Sequence, residues 1–300
     1  MNKDVLVSIV IPVYNRENII TETINCAINQ TYKNIEIIVS DNCSTDNTLA
    51  IIKDLALADN RIKILQNSEN LGPVLNWKNC IDHVSGDFVK ILWSDDLITE
   101  NFIEETLKLF TDDCAFVMSA IKHFNGNIEN VIFESNYQQR TVYDKDEYLK
   151  NILIYNKVVF PVSPGCALFR TKDIKSSFLE EVPNPESLVF KRYGAGNDLL
   201  LFIITANKYK YIKVVPQFLS YFRSHSESLT LSNSLDIYYE YAKWYFINNE
   251  YRKLIPDFGA KIYFRNLRDS MTYKIMVKYI NVKVNLFTKI KYYLLKKVQI

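Results

Sequence analysis

The strongest constraint on the fold is an alternation within the first hundred residues. Short apolar runs of strand length are each followed by a stretch with one apolar helical face. Val7-Ser8-Ile9-Val10-Ile11-Pro12-Val13 is almost continuously apolar, as expected of a strand buried on both faces. Pro12 marks its end, because proline cannot donate to a sheet ladder. Ile35-Glu36-Ile37-Ile38-Val39 is a second run, residues 61–66 a third, and Phe88-Val89-Lys90-Ile91-Leu92 a fourth. Between them, Ile19, Ile20, Ile24, Ala27 and Ile28 recur near helical spacing. A turn dense in helix-capping residues, 41–48, leads into a helix over 48–58. Pro73 opens another helix to about Val84. This β-α-β-α-β-α-β series predicts an α/β fold, a mostly parallel central sheet flanked by helices and wound with right-handed crossovers.

In such a sheet the carboxyl ends of the strands share one edge, and ligands bind there. Three strand ends supply Tyr14-Asn15, Asp41 and Asp95-Asp96. Two adjacent carboxylates closing a buried strand cost free energy unless a cation meets them. Each group alone has an ordinary reading: an exposed acidic turn for the pair, a helix cap for Asp41. Their convergence favours a ligand site. The chain has no GxxxxGK, and its only GxG, Gly194-Ala195-Gly196, lacks the third glycine of a dinucleotide fingerprint. A phosphate-bearing ligand facing these acids would need a divalent cation between, and Mn2+ or Mg2+ suits carboxylate and phosphate oxygens.

Farther on, an amphipathic helix over 100–110 precedes strands at 114–124 and 130–133. Asp144-Lys145-Asp146-Glu147 has capping-box spacing ahead of a helix to about Ile154. A short strand covers 165–170. The loop Tyr193-Gly194-Ala195-Gly196-Asn197-Asp198 opens an apolar helix from Leu199, which Asp198 can cap. Strands at 211–215 and 218–222 follow. Beyond Ser232 the chain turns to helices rich in Tyr, Phe and Lys, and Tyr238 to Tyr245 are expected to pack them. Met271 to Ile300 carries seven lysines and no acid, leaving the remainder net negative against an overall charge of +2. From Leu286 the apolar residues return at helical spacing. Such a basic amphipathic helix lies on an anionic membrane surface, or docks on the catalytic domain or a second subunit.

At 48% hydrophobic and 23% charged, the composition is that of a globular protein with a substantial core and no basic surplus for nucleic acid. Cys26, Cys43, Cys80, Cys114 and Cys166 form no CxxC pair and read as reduced cytosolic thiols. Met1 to Val13 carries Asp4 and no small-residue cleavage site, so it reads as a first strand rather than a signal peptide. No run approaches membrane-spanning length. The expected location is cytoplasmic, with peripheral contact at the inner face of a membrane through the tail.

The motifs Val10-Ile11-Pro12-Val13-Tyr14-Asn15, then 37–48, Asn70-Leu71-Gly72, Ser85-Gly86-Asp87 and Ser94-Asp95-Asp96 together resemble the family 2 glycosyltransferases, whose fold is the nucleotide-sugar-binding GT-A type. Gly196-Asn197-Asp198 resembles the family's base-bearing loop, and Tyr221-Phe222-Arg223-Ser224-His225 its closing segment. The resemblance implies a donor pocket lined by Pro12, Tyr14, Asn15, Asp41, Asn70, Ser94 and Asp95, with Asp41 accepting from the nucleobase. It implies Asp96, with Asp95 and His225, as ligands of Mn2+ or Mg2+. Gly165 and Asn197 would serve the acceptor, and Asp198 would be the general base of an inverting transfer. Partners would be a nucleotide sugar, UDP-linked in many relatives, and a glycan or lipid-linked acceptor of bacterial-type surface polysaccharide synthesis. A homo-oligomer is compatible with this reading. Trp93 and Ser94 stand where many relatives carry an earlier aspartate, and Asn197 where a glutamate often precedes the base. The matching domain would span 1–230, with a nucleotide half to about 115 and an acceptor half over 116–230, followed by the helical region 231–300. The alternatives are a non-catalytic GT-A-fold binding subunit and a nucleotidyltransferase.

Overall fold

A computed structural model describes residues 4–135, 140–224 and 235–266, the last four by their backbone alone. His225 and the basic tail lie outside the described residues. The alternation forms as expected: β1 (Val7–Val13), α1 (Ile20–Ile28), β2 (Ile35–Asp41), α2 (Thr48–Ala58), β3 (Ile62–Gln66), α3 (Pro73–Asp82) and β4 (Phe88–Ile91). A two-residue strand, β5 (Leu97–Ile98), precedes α4 (Phe102–Leu109). Then come β6 (Cys114–Asn125), β7 (Asn127–Glu134), β8 (Val142–Asp144), α5 (Lys145–Lys150), β9 (Ala167–Arg170) and α6 (Thr171–Ser177). The last elements are α7 (Asn197–Asn207), β10 (Tyr211–Arg223), α8 (Asp236–Asn249) and α9 (Ile255–Asn266).

The ten strands among the described residues form one sheet ordered β3-β2-β1-β4-β9-β6-β10-β5, with β7 on β6 and β8 on β10. The first four are mutually parallel. Strand β9 runs antiparallel to both β4 and β6, which restores the original direction in β6 and its parallel neighbour β10. Six strands therefore present their carboxyl ends along one edge, and the expected mostly parallel α/β sheet is present.

The pleat sends alternate residues to two buried clusters. Ile9, Ile11, Ile37 and Val39 pack with α1, α2 and α4, whereas Val10, Ile38, Val89 and Ile91 pack with α3, α7 and α8. Burial on both faces is why the strands read as continuous apolar runs rather than as alternating ones. Tyr238, Tyr241 and Phe246 of α8 join the second cluster.

Three expectations are corrected. Tyr211 to Arg223 is one strand, not two, because the interruption at Pro216 is absorbed as a register shift between Val215 and Phe218. The helix expected to Ile154 ends at Lys150 and continues as a π turn over Asn151–Tyr155. Its N-terminus is capped as expected, Asp144 accepting from the amides of Asp146 and Glu147. Helix α7 begins at Asn197 with Gly196 as its cap, which moves Asp198 into the first turn.

Two buried carboxylates hold the frame. Glu36, 4% exposed, accepts from Ser8, Ser85 and Lys63. Glu240 on α8 pairs with buried Lys261 of α9 at 3.1 Å and with Lys243 at 2.8 Å, and Lys261 also donates to the Leu153 carbonyl of the π turn. Burial opposes ionisation of both acids, but these partners outweigh it and hold each carboxyl down to about 2. A depressed carboxyl stabilises the fold fully above its ordinary value of 4.5, and that contribution is lost as pH falls toward about 2.

Removing one partner of the α8–α9 pair leaves a buried charge uncompensated. Glu240→Leu is therefore expected to cost roughly 3–5 kcal/mol in urea unfolding, and Lys261→Met added to it is expected to restore much of the loss. Additive losses in the double variant would show that the pair is not coupled.

Candidate active site

At the shared edge, β1 outruns its neighbour β4: the parallel ladder stops at Val10 and Ile91, with one further bond from the Leu92 amide to the Val10 carbonyl. Pro12 and Val13 then pair with β2 alone. Beyond the Leu92 amide the 92–96 segment no longer pairs with β1. Asn15 closes β1 in the left-handed region, φ 49°, a conformation asparagine tolerates better than most residues. Its amide donates to Ser44 Oγ, and its side chain exchanges hydrogen bonds with Thr45. Arg16 N donates to Thr48 Oγ1 at 2.7 Å. The loops after β1 and β2 are thus sewn together, and Tyr14 stands exposed between them at 39%.

Asp41 is completely buried at the end of β2. Its Oδ2 accepts from the Ser44 amide at 3.1 Å, so it does cap the turn into α2, but Oδ1 has no partner among the described residues. Beside it, Asn42 accepts from Asn67 and from the Leu71 amide and donates to Asn70 Oδ1 and the Gly72 carbonyl. Asn76, Asn79 and Ser40 extend this network under the loop. Asn70 is thereby placed next to the β2 end.

The acid pair is held from three directions. Thr23 Oγ1 lies 3.1 Å from the carbonyls of both Ser94 and Asp96. The Arg223 amide, at the carboxyl end of β10, donates to Asp96 Oδ1 at 3.0 Å. The Arg223 guanidinium donates to the Asp95 carbonyl, to the Gly126 carbonyl and to Glu22 Oε2 at 2.6 Å. Arg16 Nη2 lies 3.8 Å from Asp95 Oδ2, which brings the β1 loop to the pair. Burial, and then the charge of Asp95, raise the Asp96 carboxyl well above the usual carboxylate range; Arg223 and Lys90 offset this only in part. Among the described residues no three His, Cys, Asp or Glu side chains gather to hold a metal ion.

Lys90, read above as part of the apolar run, is fully buried in β4. It donates to the Gly165 carbonyl and lies 4.1 Å from the Phe102 ring centroid. Desolvation lowers its ammonium to about 7, against the neighbouring Cys166 and Asp96. Gly165 is needed for packing: a Cβ there would lie 3.0 Å from Trp93 and 3.1 Å from Phe222. Trp93 donates to Ser163 Oγ at 2.8 Å and meets Trp77 edge-on at 5.4 Å.

Asp198 sits in the first turn of α7. Its Oδ1 accepts from the Gly196 and Leu199 amides, 2.9 and 2.7 Å, and its Oδ2 from the Tyr239 hydroxyl at 2.8 Å. Burial pushes its carboxyl up to about 7 against those hydrogen bonds. The loop ahead of it abuts α3, since a Cβ on Gly194 would lie 3.6 Å from Val74. Asn197 is buried with its amide nitrogen turned to the carbonyls of Leu179 and Glu180. Tyr238 and Tyr241 pack as expected, but Tyr239 takes this polar role instead.

The structure brings Asn15, Asp41, Asn70 and the acid pair to one edge. Arg223, Lys90, Glu22 and Tyr239 carry no site role in the sequence reading, where Tyr239 is expected only to pack. Lys90 had a visible signal, a single charge inside a buried run; the other three depend on contacts across long sequence separations.

Comparison with known proteins agrees with this geometry. The family model "Glycosyl transferase family 2" matches residues 8–178, more than half of the chain. "Glycosyltransferase GlyG" of Streptococcus pneumoniae is 40% identical over 100 residues, 33% of this chain and 33% of that protein. The Escherichia coli UDP-Glc:alpha-D-GlcNAc-diphosphoundecaprenol beta-1,3-glucosyltransferase WfgD is 33% identical over 149 residues, 49% of this chain and 56% of WfgD. The matches thus span about a third to just over half of these relatives' lengths. The structure of S. aureus TarS 1-349 in complex with UDP-GlcNAc has the same fold, with TM-score 0.67 and 21% identity over 95% of this chain and 79% of that one.

The Thr23 hydroxyl has one proton to share between two buried carbonyls. Thr23→Val, which keeps the volume, is expected to cost about 1–2 kcal/mol in unfolding and to speed hydrogen exchange at the Asp96 amide. Unchanged exchange would show that the 94–96 segment is held without it.

Proposed function

Because the chain belongs to glycosyl transferase family 2, we propose that it moves a sugar from a nucleoside-diphosphate sugar, with UDP favoured, to a hydroxyl of a glycan or lipid-linked acceptor. The observation that carries this reading is Asp41 Oδ1, a buried carboxylate oxygen at the β2 end with no donor among the described residues. A buried acceptor left unpaired is costly, and the ring N–H of a uracil would satisfy it. The WfgD match supports a UDP-linked donor and a lipid-linked acceptor in a related protein. The basic tail suits work at an anionic membrane surface.

The residues at the acid pair fit a hard divalent cation. Burial and the charge of Asp95 raise the Asp96 carboxyl, and a hard cation bound by its oxygens would favour the ionised form. Asp96, with Asp95 and His225, would hold Mn2+ or Mg2+. When bound, the ion would supply positive charge against the departing diphosphate. The chain's own residues do the rest. Asp41 and the sewn 14–17 and 44–48 loops orient the nucleoside. Asp198 takes the acceptor's hydroxyl proton as that oxygen bonds to the anomeric carbon and the bond from this carbon to the diphosphate oxygen breaks. One displacement with one base inverts the anomeric centre.

A screen of nucleotide sugars for thermal stabilisation with Mn2+ identifies the donor. With that donor, Asp198→Asn is expected to keep nucleotide binding while lowering transfer by roughly 10²–10⁴. Because the working form of the base is ionised, the wild-type rate should fall as pH drops through about 7. Wild-type turnover in the variant would remove Asp198 from the reaction. Asp96→Ala is expected to abolish Mn2+-dependent UDP binding in calorimetry; unchanged affinity would move the ion elsewhere.

A further inference from the structure

Helix α8 reaches the candidate base from a part of the chain beyond the 8–178 family match, 41 residues along from Asp198. Its Tyr239 hydroxyl donates to Asp198 Oδ2 at 2.8 Å. Tyr238 and Tyr241, on the same helix, are buried among apolar neighbours.

A carboxylate oxygen accepts about two hydrogen bonds. Oδ1 of Asp198 already has two, from the amides of Gly196 and Leu199. Only Oδ2 remains, and the phenol takes one of its two lone pairs. We propose that Tyr239 is a positioning residue for the base, leaving Oδ2 a single lone pair of fixed direction for the acceptor's proton, so that the C-terminal helix completes the site. This inference rests on the reading of Asp198 as the base.

The electrostatics keep the pair in that arrangement. Burial, followed by the charge of Asp198, pushes the Tyr239 phenol far above its ordinary value, so the shared proton stays on the phenol. Asp236, on the same helix, adds its charge on the phenol's side. Donation to the ionised form favours that form, and it works against the burial that lifts Asp198 toward about 7. Without the phenol, a larger share of Asp198 would be protonated at neutral pH and unable to act.

The carboxyl of Asp198 can be titrated in the full chain without any ligand, by 13C NMR of aspartate-labelled protein. Its resonance is the one lost in Asp198→Asn. In Tyr239→Phe the midpoint is expected to rise by about one unit or more, the scale of a hydrogen bond to a charged group. Placing 3-fluorotyrosine at 239, a stronger donor of the same shape, is expected to lower it and guards against a folding defect in the phenylalanine variant. The acid limb of transfer, assayed with the donor found by thermal screening, should follow the carboxyl in both variants. A midpoint unmoved by either change, or a moved midpoint that the acid limb does not follow, overturns the role of Tyr239. Full transfer by Asp198→Asn instead overturns the base itself, whatever the titration shows.

Discussion

A carboxylate withdrawn from water must find compensating charge or donors, and this requirement organises the whole structure. Glu36 and Glu240 are fully met, by hydroxyls, an amide and lysines, and both are held down to about 2. They pin strands and helices together. Asp41, Asp96 and Asp198 are met only in part: one oxygen of Asp41 has no partner among the described residues, and the other two carboxyls are raised by burial. These three incompletely compensated acids are the ones the proposed function draws on. The same desolvation that makes the first set structural leaves the second set short of partners, and the proposal assigns a base N–H, a cation and a proton to that shortfall.

Arg223 joins β10 to α1 and the acid pair at this edge. Its backbone amide reaches Asp96, and its guanidinium reaches the Asp95 carbonyl, Glu22 on α1 and the β6–β7 turn at Gly126. It does so because β6 and β10 run in the direction of β1 to β4 on the other side of the antiparallel strand β9. Had β10 run the other way, its carboxyl end would lie at the far edge of the sheet, and the acid pair would face solvent on that side. Lys90 performs a similar service within the core, tying the turn at Gly165 to β4.

The C-terminal helices belong to this arrangement. Helix α8 contributes aromatic side chains to the core around α7 and a hydroxyl to Asp198, and α9 is fastened to it through Lys261 and Glu240. The π turn leaves the Leu153 carbonyl available to the same lysine.

The sequence by itself determined the strand–helix alternation, the strands that lead to Asn15, Asp41 and the turn at Asp95-Asp96, and the Asp144 cap. Each is written in local periodicity or in the few residues around one backbone turn. Tertiary structure decided what depends on distant partners: that Tyr211 to Arg223 is one strand bulged at Pro216, that Gly165 makes room for Trp93 and Phe222, and that Asp198 meets Tyr239. Spacing along the chain carries no record of which strand lies beside β4 or which helix covers α7. Those pairings follow from packing the whole core at once, where shape and the satisfaction of buried polar groups choose among neighbours that local patterns leave equivalent.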